Sequence, residues 1–102
     1  MNVIWTDAAM DCEKAIYEYH LAKHGYGRAR RIRTGIRQRP RQLVDNSESG
    51  PVEENLSALN LGHRYLLSGN YKLIYRIVGN DVFITDVFDT RQDPNEMINR
   101  NI

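Results

Sequence analysis

The side chains best equipped for chemistry in this 102-residue chain are guanidinium groups, and they are unevenly spread. Between His20 and Val44 stand Lys23, Arg28, Arg30, Arg31, Arg33, Arg37, Arg39 and Arg41, without one acid. Residues 1–19 carry net −3 and residues 45–102 net −4, so the formal charge of +1 conceals a cationic stretch between two acidic ones. Such segregation predicts a cationic face, because a surface selected only for solubility mixes its signs. Arginine is preferred over lysine where planar, bidentate contact to phosphate or carboxylate matters. Three readings stand side by side: a solvated face, a nucleic-acid face held through phosphates, and a protein face that takes an acidic segment.

A smaller set, Arg64, Arg76 and Arg91, falls on strands or strand ends in the second half. Converging on a sheet face left bare by helices, the three would form an anion site; the alternative is pairing with Asp86, Asp89 and Asp93. His20 and His24 have the four-residue spacing of two imidazoles on one metal. No third ligand stands nearby and the surroundings are cationic, so solvated histidines at a helix end are expected, with no metal and no other cofactor. Cys12 is expected as a small core residue, and Glu53-Glu54 as solvated loop carboxylates. No glycine-rich phosphate loop, G-x-S-x-G elbow or HExxH helix is present.

Composition narrows what can hold these groups. Hydrophobic residues make up 41% of the chain and charged residues 26%, which is ordinary for a globular protein. A chain of this length can bury roughly 65% of its surface, enough for one modest core, so one domain over residues 1–102 is expected. One cysteine excludes an internal disulfide. No apolar run approaches the ~20 residues of a membrane span and no signal peptide is visible, so a cytoplasmic protein with no membrane contact is expected.

Asn2-Val-Ile-Trp5 reads as a short first strand. Thr6 or Asp7 then caps a helix to about His24, whose stripe Ala8, Cys12, Ala15, Ile16, Tyr19 and Ala22 is expected inside. A second helix begins near Gly27, with Ala29, Ile32, Ile36 and Leu43 on one side and a break at Pro40. The Gly25-Tyr26-Gly27 link makes the two an antiparallel hairpin. Asp45 to Pro51 is polar loop, and its polarity predicts a mobile segment to about Asn60. Thereafter the period changes to two. Strands are expected over His63–Leu67, Tyr71–Val78 and Val82–Phe88, joined by turns at Ser68-Gly69-Asn70 and Gly79-Asn80. Asp93-Pro94 opens a last helix. The predicted fold is α+β, a two-layer β-αα-βββ(α) arrangement with the helical hairpin on one face of a mostly antiparallel four-stranded sheet.

With that order in place, the run Arg64-Tyr-Leu-Leu-Ser-Gly-Asn-Tyr71-Lys-Leu-Ile-Tyr75-Arg76-Ile resembles the C-terminal half of the RelE/ParE toxin family. So does Asp81-Val-Phe-Ile-Thr-Asp-Val-Phe-Asp89-Thr-Arg91-Gln-Asp93-Pro94. Ile4-Trp5-Thr6-x-x-Ala9, Gly27-Arg-Ala29 and the loop ending at Gly50-Pro51 are similar to that family too, so the resemblance covers nearly the whole chain. It implies the toxin of a type II toxin–antitoxin (plasmid stabilisation) system, blocked by a cognate antitoxin and reaching operator DNA only through it. ParE-like members inhibit DNA gyrase without known catalysis; RelE-like members enter the ribosome and cleave mRNA. Nuclease members usually place a Tyr or His after the last strand, and residues 89–102 contain neither. The ending Asp-Thr-Arg-x-Asp-Pro looks more like the ParE branch, which is the expectation here.

As a nuclease, the chain would have to work with His63, Arg64, Tyr71, Arg76 and Arg91, the three arginines as its cationic part and the proton-transfer partner coming from His63, Tyr65 or Tyr71. As an inhibitor, it would present Arg28, Arg31, Arg37, Arg64, Arg76 and Arg91 to antitoxin or target. For the antitoxin, the expectation is a helix beside the hairpin and an extended segment along the sheet, its acids meeting Arg28, Arg31 and Arg37.

Overall fold

A computed structural model describes residues 1–101. Strand β1 (Asn2–Trp5) leads to helix α1 (Asp7–His24) and helix α2 (Tyr26–Gln38), and a 3-10 helix (Arg39–Val44) continues from α2. A second 3-10 helix (Glu54–Leu59) precedes β2 (Arg64–Ser68), β3 (Tyr71–Val78), β4 (Asp81–Asp89) and helix α3 (Pro94–Asn101). Thr6 caps α1, its Oγ1 accepting from the Ala9 backbone N–H at 3.1 Å. Gly25, at φ 84°, ends α1 and alone links it to α2, so Tyr26 and Gly27 lie inside the second helix rather than before it. Pro40 turns α2 into the tighter 3-10 winding, as a missing donor requires.

The sheet runs β1-β4-β3-β2. β2–β3 and β3–β4 are antiparallel, whereas β1 lies parallel to β4, with Asn2 opposite Asp81 and Trp5 opposite Ile84. The α+β layout of a hairpin on a four-stranded sheet is therefore as expected, with one parallel pair. Ile74 faces Asp86 and Tyr75 faces Ile84, so Thr85 is an extra residue that bulges β4. The hairpin buries Ala9, Ile36 and Leu43 against Tyr71, Leu73, Tyr75, Val82, Ile84 and Val87.

Two polar side chains sit inside this layer and turn α1 from its expected stripe. Glu13 and His20 are buried, while Ala8, Ala15, Tyr19 and Ala22 are exposed and Cys12 and Ile16 half-buried. Glu13 is tolerated because α2 supplies its counter-charges: Arg33 Nε lies 2.5 Å from Oε1 and Arg37 Nη2 3.2 Å from Oε2. A buried carboxylate so paired takes a core position that hydropathy assigns to an apolar residue.

The opposite face of the sheet is not bare. Leu56 and Met97 are buried there against Ile74 and Phe88, so the second 3-10 helix and α3 form their own small core. The stretch expected as mobile loop is pinned throughout. Tyr75 Oη donates to the Ser47 carbonyl at 2.8 Å and accepts from the Gly50 N–H at 3.0 Å. Val52 bridges to Arg64 along the outer edge of β2, and the Glu53 N–H donates to the His63 carbonyl at 2.8 Å. Glu53, expected in solvent, is 1% exposed; its Oε2 accepts from Lys72 Nζ at 2.7 Å and its Oε1 from the Asn55 side chain at 2.9 Å. Glu54 is exposed as expected. Asp93 starts α3 by accepting from the Asn95 N–H, and Arg100 ties its far end to buried Asp86.

Candidate functional site

Helical spacing sorts the arginines. Arg28 and Arg31, three apart, share one side of α2 with Gly35, whereas Arg37, two and a half turns from Arg28, falls on the other. At Gly35 the helix comes close to the sheet: a Cβ there would stand 3.1 Å from Ser68 Oγ. That contact brings the Arg28–Arg31 side down on the β2–β3 turn, and Arg39 Nε donates to the Leu67 carbonyl at 2.7 Å to hold the helix end there. The last two turns of α1 bring His20 and His24 to the same place, and Arg91 arrives from the end of β4. Between them opens a cleft of about 440 Å³, lined by Tyr19, His20, His24, Arg28, Arg31, Tyr71 and Arg91 among others.

At its floor His20 Nε2 and Tyr71 Oη are 2.8 Å apart, both residues buried. The other imidazole nitrogen, Nδ1, is buried without a partner. His20 stacks on His24 at 5.5 Å and meets Tyr19 edge-on at 5.1 Å. Burial, with the nearby His24, Arg28 and Arg91, pushes the His20 imidazole below its ordinary value; Asp89 opposes weakly. Burial first and Asp89 second push the Tyr71 phenol up, with Arg91 opposing. At neutral pH the floor is thus a neutral imidazole against a protonated phenol, a pair able to accept and donate a proton. Arg91 is not a free cation: its Nε and Nη2 hold the two oxygens of Asp89 at 3.0 and 2.8 Å, which keeps that carboxyl below its ordinary value. Among the described residues, Arg28 and Arg31 are exposed and take part in no ion pair.

The trio Arg64, Arg76 and Arg91 does not converge. Arg64 lies at the start of β2 and donates to the Gly50 carbonyl at 2.8 Å and that of Glu48 at 3.3 Å, an anchor for the loop. Arg76 faces the other side of the sheet from Tyr75, where its guanidinium and burial together lower the His63 imidazole. Arg76 Nε and His63 Nδ1 are both buried without partners. Pairing claims Arg91 through Asp89, while Asp86 goes to Arg100, outside the expected trio. Of the nuclease set, then, Tyr71 and Arg91 meet in the cleft, His63 and Arg76 meet on the other side of the sheet, and Arg64 is taken up by the loop. Arg37 is held by Glu13, away from Arg28 and Arg31.

His20, expected in solvent, is the residue that sequence reading missed. Its signal lay in the helix period: it follows Ala9, Glu13 and Ile16 at eleven, seven and four residues, on the side that packs. Among the described residues no group of three or more His, Cys, Asp or Glu is placed to hold a metal, and no helix is long and apolar enough to cross a membrane.

This arrangement has known relatives. No sequence match was found among curated proteins. A solved structure, the chromosomal ParDE TA system from P. aeruginosa, shares the fold with a TM-score of 0.68. It is 23% identical, over 87% of this chain and 95% of that one. Residues 3–94 match the family model described as the ParE toxin of the type II toxin–antitoxin system, parDE. The chain belongs to the ParE toxin family of type II toxin–antitoxin systems.

Proposed function

We propose that this protein is a growth-inhibiting toxin that acts on DNA gyrase by binding, without catalysis of its own, and that a cognate antitoxin neutralises it. The observation that carries the reading is the match to ParE toxins over residues 3–94. The ending Asp89-Thr-Arg-Gln-Asp-Pro94 supports it, because Arg91 there is spent on Asp89 rather than presented to a reacting phosphate. An acidic stretch of the antitoxin lies over Arg28 and Arg31, the two unpaired guanidinium groups of the cleft, and operator DNA is contacted by the antitoxin alone. Arg37 has no part in it, being neutralised within the fold.

Expression without antitoxin is expected to arrest growth with chromosome breaks and a damage response, and purified toxin to block supercoiling by gyrase. Co-expression with the adjacent small reading frame restores growth. Intact chromosomes with normal supercoiling in the presence of excess toxin would refute the gyrase reading.

One observation favours a second reading, a ribosome-dependent mRNA endoribonuclease. The His20–Tyr71 pair beneath Arg28 and Arg31 supplies a base, an acid and cationic support for a phosphorane. Under that reading translation stops first and messages are cut, and His20→Gln and Tyr71→Phe each abolish cutting while leaving antitoxin binding in place.

A further inference from the structure

The cleft is one half of a longer groove. A second cavity of about 430 Å³ shares Tyr19, Tyr71 and Arg91 with it and continues over Ile16 and Val87. The groove changes character along its course. At one end stand the unpaired Arg28 and Arg31 with His24. At the other, Ala15, Ile16 and Val87 share the walls with Asp89, Gln92 and Arg100, and between the two ends rises Tyr19, 52% exposed. The rings of Tyr19, His20 and His24 form a row, edge-on and then stacked.

Arg28 also stands in the first turn of α2, which begins at Gly25 with no side-chain cap and no acidic residue. A guanidinium at the positive pole of a helix dipole is repelled unless an anion lies beside it. Cations that track a backbone, followed by exposed rings on which a base can lie, are what a single strand of nucleic acid requires. An acidic peptide, such as the antitoxin stretch proposed over the same arginines, would leave the rings idle, so it and a nucleic acid compete for this end of the groove. A duplex keeps its bases paired and cannot lay one on Tyr19.

We propose that this groove binds single-stranded nucleic acid directly, phosphates at Arg28 and Arg31 and a base against Tyr19. The proposal rests on the groove and not on gyrase as target, so a failed supercoiling assay leaves it standing.

The test is fluorescence anisotropy of the intact toxin with labelled oligo-dT and oligo-U twelve-mers, titrated at several salt concentrations. Saturable binding is expected at 50 mM salt, with a log–log salt slope of about 0.7 per phosphate held, so roughly 1.4 to 2. Arg28→Glu/Arg31→Glu is expected to weaken binding at least tenfold. Arg30→Glu/Arg41→Glu, an equal charge change elsewhere, is expected to weaken it less than threefold. Tyr19→Ala should weaken binding at least fivefold with the slope unchanged, as loss of one stacked base implies. Preference for one oligonucleotide identifies RNA or DNA as the natural source, and both results support the groove. Absence of saturable binding overturns the proposal. So does equal weakening by the two double variants, or a Tyr19→Ala protein that binds like the parent, since either reduces the effect to diffuse charge.

Discussion

Tyr71→Phe removes one oxygen and leaves the ring volume in place, which makes it a clean probe of the cleft floor. Tyr71 is 7% exposed and His20 6%, so little water reaches either ring. Among the described residues the hydroxyl is the only partner of the imidazole, because Nδ1 has none and Nε2 meets Tyr71 Oη at 2.8 Å. After the change both ring nitrogens are buried and unsatisfied. Leaving a buried polar group orphaned costs about 1–3 kcal/mol, more than the net worth of the bond itself. Taking about 2 kcal/mol and the urea sensitivity of a chain this size, the unfolding midpoint falls by roughly 1 M. The decisive variant is the double, His20→Leu with Tyr71→Phe. Replacing both partners by apolar groups removes the orphan, so the double variant is expected to be more stable than Tyr71→Phe alone. Urea unfolding at pH 7.5, followed by circular dichroism, gives all four corners of the cycle. Single effects that simply add, within about 0.5 kcal/mol, would show that the two groups do not interact and would refute the reasoning.

Three further outcomes follow from the same packing. Glu13→Ala strips Arg33 and Arg37 of their shared counter-charge, but both guanidinium groups reach solvent, so stability is expected to fall by about 1 kcal/mol in the same urea assay; an unchanged midpoint would mean that the pair is ornamental. Gly50→Ala drives a methyl into the Tyr65 carbonyl and to 2.8 Å from Tyr75 Oη, so a loss of about 2 kcal/mol is expected, with faster amide exchange across residues 47–53. Burial holds His20 and His63 below the ordinary imidazole value, so the unfolded chain binds more protons than the folded one as pH drops through about 6.5. Stability is therefore full above that value and declines as pH falls through it to 5.5, a range in which Asp89, already ionised, contributes no slope. A flat profile would contradict the burial of both rings.

What could be read from the chain beforehand was whatever local rules decide. The limits of α1, its Thr6 cap, the break at Pro40 and the two tight turns all depend on neighbours within a few residues. The back of the sheet was not legible, because its cover is polar in composition and held by remote partners. Lys72 makes a buried residue of Glu53, and Tyr75 fastens Ser47 and Gly50 from far along the chain. The same holds for the buried side of α1. The expected stripe left out Glu13 and His20 because their partners, Arg33, Arg37 and Tyr71, come from other elements. Charge asymmetry pointed to the right helix, but the division of its arginines into Arg28, Arg30 and Arg31, which are unpaired among the described residues, and Arg33 and Arg37, which share the Glu13 carboxylate, needed the third dimension.

The parallel pairing of β1 with β4 has a consequence for how such a molecule is made. The first strand to be synthesised must wait for residues 81–84 before it has a neighbour, and closing so long a loop is an entropic burden borne late in folding. The amino-terminal residues and α1 therefore emerge without the layer they are meant to rest on. A chain whose synthesis stops before β4 has no completed groove.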